Sequence, residues 1–228
     1  MNVQLLIPAA GAGRRLGRGP KALVDVAGVP LLARTLARFD GIGLLEGVVL
    51  VCPQDAVELF QAVLQRYFPG NHWQLVPGGA ERQESVWNGL AALDDSTEIV
   101  VIHDAARPFV PVDAIRASID AARQYGAASV AIPVVDTIFQ ADQDAWLEAT
   151  PPRERLWACQ TPQTFRVEVI RAAHRRARDE GRMSTDDATL VRWTGARVKL
   201  VHGAWMNFKV TTPEDFALAE IVIKEGLA

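Results

Sequence analysis

Short apolar runs alternate with amphipathic stretches along most of this chain. Val3–Pro8, Gly47–Cys52, Trp73–Val76, Ile99–Ile102, Ala127–Pro133 and Val198–Val201 are rich in Val, Ile and Leu and are bounded by Gly, Pro or Asp, which predicts buried strands. Between them, Pro30–Phe39, Ala56–Tyr67, Arg82–Leu93 and Val112–Tyr125 carry apolar residues at helical spacing. This β-α-β-α rhythm predicts an α/β fold, a mainly parallel sheet flanked by helices. A last helix is predicted over Pro213–Glu225, with Thr212 as N-cap, Pro213 at the first position and two acids in the first turn. The rhythm breaks over Val134–Trp157, where acids, prolines and arginines show no clean period. Such an insertion in a compact α/β chain is usually a functional segment or an oligomer contact, the alternative being a disordered surface loop. Ile138, Phe139, Trp146 and Trp157 call for burial, so residues 134–157 are expected to be an ordered arm inserted in one domain spanning 1–228.

In a parallel sheet, ligands sit beyond the carboxyl ends of the strands. The first strand runs directly into Pro8-Ala9-Ala10-Gly11-Ala12-Gly13-Arg14-Arg15, with Pro20-Lys21 close behind. Small residues let a polyphosphate approach backbone N–H groups, and the cations offset its charge. The loop is not Walker A, because Arg14 follows the second glycine. Nor is it the dinucleotide fingerprint, because Leu16 stands where the third glycine belongs. Gly-x-Gly alone would be an ordinary strand–turn with surface arginines, so the signal needs company.

The bulk composition narrows the classes. A chain of 228 residues that is 49% hydrophobic and 22% charged suits one α/β globule with a sizeable core. A net charge of −3 gives no general attraction for nucleic acid or an anionic membrane, so phosphate binding must be local. No basic, apolar leader and no run long enough to span a bilayer is present. Cys52 and Cys159 fall in no metal-ligand spacing and read as reduced thiols of a cytoplasmic protein.

Other segments supply the company. His103-Asp104-Ala105-Ala106-Arg107-Pro108 follows the strand ending at Ile102, and a carboxylate there suits a hard divalent cation bridging to phosphates. The alternative for Asp104 is a strand-end cap paired with Arg107. Gly78-Gly79-Ala80-Glu81-Arg82-Gln83-Glu84-Ser85 is a second glycine turn into a helix; its backbone could read a base edge, or merely connect strand to helix. Lys209 precedes the last helix among apolar neighbours. Thr161-Pro162-Gln163-Thr164-Phe165 reads as a polar loop, with Arg153 upstream.

In this order, with Asp136-Thr137 and Asn207-Phe208-Lys209-Val210-Thr211, these segments closely resemble the 2-C-methyl-D-erythritol 4-phosphate cytidylyltransferases of the non-mevalonate isoprenoid pathway. The resemblance covers nearly the whole chain. The opening loop is shared by many nucleotidyltransferases; the His103–Pro108 block, with Thr161-Pro162-Gln163 and Asn207–Thr211, is far more specific. The resemblance implies a Rossmann-like nucleotidyltransferase fold and transfer of CMP from CTP to methylerythritol phosphate, giving 4-diphosphocytidyl-2-C-methyl-D-erythritol and pyrophosphate. It places Pro8, Ala9, Ala10, Gly11 and Gly13 along the triphosphate, and Gly79, Ala80 and Ser85 at cytosine. It makes Arg15 and Lys21 the cations that stabilise the transition state, and Asp104 the ligand of a Mg2+ cofactor. It assigns Ala105, Arg107, Thr137, Arg153, Thr161 and Lys209 to the acceptor, with Arg153 and Lys209 counted as catalytic. It implies a homodimer through the arm, so that Thr137 and Arg153 serve the neighbouring subunit's site. Relatives usually carry Lys-Gln where this chain has Lys21-Ala22, and often an acid at the position of Ala80; a backbone contact to the base needs no side chain there. The rivals are a cytidylyltransferase for another polyol phosphate, such as ribitol 5-phosphate, and a non-catalytic nucleotide-binding subunit, which should have lost Arg15, Lys21 or Asp104.

Overall fold

The structure is a computed structural model and describes residues 2–11, 19–44 and 47–227. From β1 (Asn2–Pro8) the chain passes a two-residue hairpin, β2 (Asp25–Val26) and β3 (Val29–Pro30), into α1 (Leu31–Asp40). Then come β4 (Val48–Cys52), α2 (Val57–Tyr67), β5 (Trp73–Pro77), α3 (Arg82–Ala91), β6 (Thr97–Ile102), α4 (Val112–Tyr125) and β7 (Ala127–Pro133). The arm holds β8 (Gln140–Ala141) and β9 (Leu147–Ala149). After it follow β10 (Trp157–Arg166), α5 (Val167–Asp179), α6 (Asp187–Trp193), β11 (Lys199–His202) and α7 (Pro213–Lys224).

Seven strands form one sheet in the order β11-β7-β10-β6-β1-β4-β5. All pairs are parallel except those of β10, which runs antiparallel between β6 and β7. Every apolar run read as a strand is one. Burial on both faces explains why the central runs Val48–Cys52 and Ile99–Ile102 are apolar throughout rather than alternating. On β1, Leu5 and Ile7 pack beneath α1 and α2 with Leu36, Phe39 and Phe60, while Leu6 faces Val86, Leu90 and Ile170 of α3 and α5. Each such fully buried side chain contributes roughly 1.5–3 kcal/mol of transfer free energy. Gly89 lets α3 lie close on the sheet: a Cβ there would meet Leu6 Cδ1 at 2.8 Å and Val51 Cγ2 at 2.9 Å.

The segment read as a polar loop around Thr161 is instead the ten-residue strand β10 in the middle of the sheet. Its polar side chains concealed it, because their partners are remote in sequence. Ser118 Oγ lies 2.8 Å from Thr164 Oγ1, and the backbone N–H groups of Asp187 and Ala188 donate to Gln163 Oε1. Helices α5 and α6 had no counterpart in the reading of the sequence. The last helix starts as anticipated: Thr212 and Asp215 form a reciprocal capping box with Pro213 in the first turn.

The arm closes at its base where Val134 N–H donates to Leu156 C=O at 3.0 Å. The expected burial of its apolar groups is not met within one chain. Ile138, Phe139 and Trp146 are 39%, 64% and 74% exposed, because the hairpin projects beyond the paired ends of β7 and β10 with no layer of its own chain behind it. Trp157, at the root, does find a partner, with its ring edge-on to His202 at 4.8 Å between centroids. No helix among the described residues is long and apolar enough to cross a membrane.

Candidate active site

Three loops leave the carboxyl ends of neighbouring strands and are locked to one another by extensions of the sheet ladder. Ala9 N–H donates to Val51 C=O, Gly78 N–H to Cys52 C=O, and His103 N–H to Leu6 C=O, at 2.7, 2.9 and 3.0 Å. The opening loop and the Gly78-Gly79 turn then touch. A Cβ on Gly78 would lie 2.2 Å from Ala10 Cβ, so glycine is required for the two loops to meet. Together they wall a cavity of about 460 Å³, lined by Pro8–Gly11, Lys21, Gly79, Ala80, Ser85, Asp104, Ala105 and Lys209. Beside it lies a smaller lobe of about 180 Å³ that includes Arg107 and Thr161 and shares Arg82, Asp104 and Lys209 with the larger one.

Asp104 stands where the lobes meet, and three cations surround its carboxylate. Lys209 Nζ is 2.9 Å away, Arg107 Nε 3.3 Å and Arg82 Nε 3.7 Å. Burial opposes ionisation of Asp104, but Lys209, Arg82 and Arg107 outweigh it and hold the carboxyl well below the usual carboxylate range. The pairing with Arg107 was foreseeable from their spacing; Lys209 comes from across the chain. Val210 N–H donates to Ala106 C=O at 2.8 Å, and Arg107 Nη1 to Asn207 C=O at 2.7 Å, which zips the Asn207–Thr211 segment onto the Asp104 loop. Buried Asn207 donates in turn to Thr161 C=O at 2.9 Å.

His103 fixes the loop from below. It is fully buried, and burial pushes its pKa down to about 4, so the imidazole is neutral near pH 7. Nε2 faces the Arg107 carbonyl at 3.0 Å and must therefore carry the proton. Nδ1 then accepts from Thr161 Oγ1 at 3.0 Å, and that oxygen accepts from Asp104 N–H at 3.1 Å. Below pH 6.5 the unfolded chain binds a proton at His103 that the folded chain refuses until about pH 4, so stability falls as the pH drops through that window. The loss from this one group is about 3 kcal/mol. Denaturant midpoints taken from pH 7 to pH 4 should show a markedly flatter decline for His103→Gln; equal slopes for both proteins would refute the assignment.

Ser85 and Glu84 brace the glycine turn. Gly79 N–H donates to Ser85 Oγ at 3.1 Å and Ala80 N–H to Glu84 Oε2 at 2.8 Å. Glu84 thus brings a carboxylate to the turn that lacks an acid at position 80. Ala22 is buried in a cluster with Ala9 and Ala105 and packs as a core residue.

Most residues named from the sequence therefore converge. Gly13 and Arg15 lie outside the described residues. Thr137 and Arg153 line neither lobe: both are exposed on the arm, where Arg153 Nη1 donates to Val135 C=O at 2.8 Å. Arg82 lines both lobes without a role assigned from the sequence, although its place three residues after the second glycine is a usable signal. Thr185 and Asp186 of the smaller lobe carry no local signal in the sequence.

A family model described as 2-C-methyl-D-erythritol 4-phosphate cytidylyltransferase matches residues 3–225. A protein of that name from Caldanaerobacter subterraneus subsp. tengcongensis is 43% identical over 99% of this chain and 100% of its own length. One from Geobacter metallireducens is 44% identical with both chains fully covered. The crystal structure of the Thermus thermophilus enzyme of that name superposes with a TM-score of 0.81 at 38% identity, covering 98% of this chain and all of that one. The 4-diphosphocytidyl-2C-methyl-D-erythritol synthase of Anaerococcus prevotii gives a TM-score of 0.87 at 29% identity, covering 98% and 96%. With a match that runs from β1 to the end of α7, this chain belongs to the 2-C-methyl-D-erythritol 4-phosphate cytidylyltransferase family.

Proposed function

We propose that this protein transfers the CMP group of CTP to 2-C-methyl-D-erythritol 4-phosphate and releases pyrophosphate, a step in isoprenoid precursor biosynthesis. The observation that carries this reading is the two-lobed cleft, which gathers the small-residue loop, the glycine turn, Lys21, Asp104 and Lys209 in one place. The larger lobe takes the nucleotide, with the triphosphate along Ala9–Gly11 and cytosine at the Gly79–Ser85 turn. The smaller lobe takes the acceptor, near Arg107, Thr161 and Lys209. A phosphate oxygen of the acceptor attacks the α-phosphorus, a new P–O bond forms, and the bond to the β-phosphate oxygen breaks. A phosphate monoester is already an anionic nucleophile, so the chain needs no general base. Its task is alignment and charge neutralisation. Lys21 and Arg15 offset charge on the α-phosphate and the departing pyrophosphate, and Lys209 holds the acceptor phosphate in line.

Mg2+ fits this donor set. Mg2+ is ordinarily held by one or two carboxylates with phosphate oxygens and water. Asp104, ionised and shared by both lobes, is the residue that would hold it. The bound ion would supply positive charge at the phosphates. Pyrophosphate release with methylerythritol phosphate, compared across CTP, UTP, ATP and GTP, tests the whole reading; no release with CTP, or better turnover of ribitol 5-phosphate, would overturn it.

Arg153 and Thr137 fit a homodimer in which each arm serves the neighbouring cleft. Supporting this are their positions off their own cleft and the exposed Phe139, Trp146 and Leu147 on the same arm. Arg153→Ala should raise the KM for methylerythritol phosphate and leave that for CTP nearly unchanged. If Arg153 acts in the partner's site, mixing and reassociating the Arg153→Ala and Lys21→Ala proteins yields sites with both residues intact, and activity at low methylerythritol phosphate rises above that of either protein alone. A changed CTP KM alone, with no restoration, would refute the assignment.

A further inference from the structure

We infer that Asp187, oriented by His174, is a positioning residue: it anchors Arg82 from behind, so that the guanidinium faces the cleft without closing on Asp104. Arg82 Nη1 sits 2.8 Å from Asp187 Oδ2, whereas its Nε stays 3.7 Å from Asp104 Oδ1. The tighter contact is thus on the side away from the reacting groups. Asp187 opens α6, is fully buried and lines neither lobe of the cleft. It is held from two directions, and the histidine is itself backed by a third group. His174 of α5, itself fully buried, donates from Nε2 to Asp187 Oδ1 at 3.0 Å. The backbone N–H of Asp187 donates to Gln163 Oε1 of β10 at 2.9 Å. Trp87 of α3 stacks on the imidazole at 6.2 Å between centroids and 23° between planes.

A buried carboxylate is costly unless it is paired, and an apolar residue of similar volume often fits such a position at less cost. The fixed Asp187–Arg82 pair therefore calls for a use, and the guanidinium carries its effect into the cleft. The contrast with Lys209 shows what the anchor achieves. Lys209 reaches Asp104 on a long stem with a side chain 39% exposed, and can leave the carboxylate to follow a phosphate. Arg82 is tethered at 2.8 Å and only 24% exposed, so it remains a stationary charge at the junction of the lobes. Without Asp187, its nearest carboxylate is Asp104. It would close there, withdraw from the phosphates and compete with a divalent cation.

This inference rests on the cleft being the nucleotide site, and a double-mutant cycle separates the two. Asp187→Asn should lower kcat/KM for CTP roughly tenfold or more, the scale of coupling expected for a contacting charged pair. The same change in an Arg82→Gln background should cost little further. Mn2+ binding to the protein–CTP complex, read by electron paramagnetic resonance, should weaken in Asp187→Asn. His174→Leu, which removes the donor but keeps the bulk, should reproduce a smaller loss, and His174→Gln, which keeps a donor, should recover it. If Asp187→Asn fails to fold, the two His174 variants carry the test. Additive losses in the cycle, unchanged Mn2+ binding, or equal behaviour of the Leu and Gln variants would overturn the positioning role while leaving cytidylyl transfer intact. A wild-type protein that releases no pyrophosphate from CTP would overturn the functional reading instead.

Discussion

Asp104→Asn is expected to lower kcat/KM by at least ~10²-fold, with a higher divalent-cation concentration needed for half-maximal rate. The substitution preserves size and one oxygen but removes the negative charge on which Lys209, Arg107 and Arg82 converge at 2.9, 3.3 and 3.7 Å. Two effects follow. The ligand proposed for Mg2+ is weakened, and Lys209 and Arg107 lose the charge that holds them. Lys209, with the most exposed of the three side chains, should drift from the cleft. The fold should be destabilised as well, because Arg107 spans Asp104 and the Asn207 carbonyl and so ties two loops together. Rates should be measured where denaturant curves show the variant folded. A kcat near that of the unchanged protein, with the same Mg2+ response, would remove Asp104 from the mechanism.

Lys21→Ala is expected to lower kcat by roughly 10²-fold or more, the loss typical of a preorganised transition-state donor. Lys21 opens a single 3-10 turn, Lys21–Leu23, and lines the larger lobe beside Ala9–Gly11. Its neighbour Ala22 is buried against the core, which fixes the turn and aims position 21 at the cleft. Because Ala22 rather than Lys21 secures this packing, stability should change little while turnover collapses. Arg153→Ala should behave oppositely, acting on the acceptor KM. Near-normal kcat in Lys21→Ala would show that other cations carry the developing charge.

Much of the fold was legible because a doubly covered parallel sheet writes itself as apolar runs. β1, β4, β6 and β7 announced themselves this way, and the capping box of α7 announced its start. β10 did not, since its burial is satisfied by hydrogen bonds to groups such as Ser118 and the start of α6, far off in the chain. The small-residue loop, the glycine turn, Asp104 and Lys209 were each visible as candidates, because every one sits at the end of a regular element or beside a motif.

What the sequence by itself determined was the inventory: strand–loop junctions rich in small residues, a carboxylate at a strand end, and separated cations awaiting a common anion. Only the tertiary structure decided how that inventory is used. It brought Lys209 from 105 positions away to within 2.9 Å of Asp104, and divided the cleft into two lobes. It put Arg82 between Asp104 and the buried Asp187, and left Arg153 and the arm's aromatic residues outside their own cleft. The physical reason is range. Helix and strand periodicity, caps and glycine turns are set by neighbours a few residues apart. Charge compensation and burial are set by whichever elements the sheet order makes adjacent, here β6, β10 and the segment before α7.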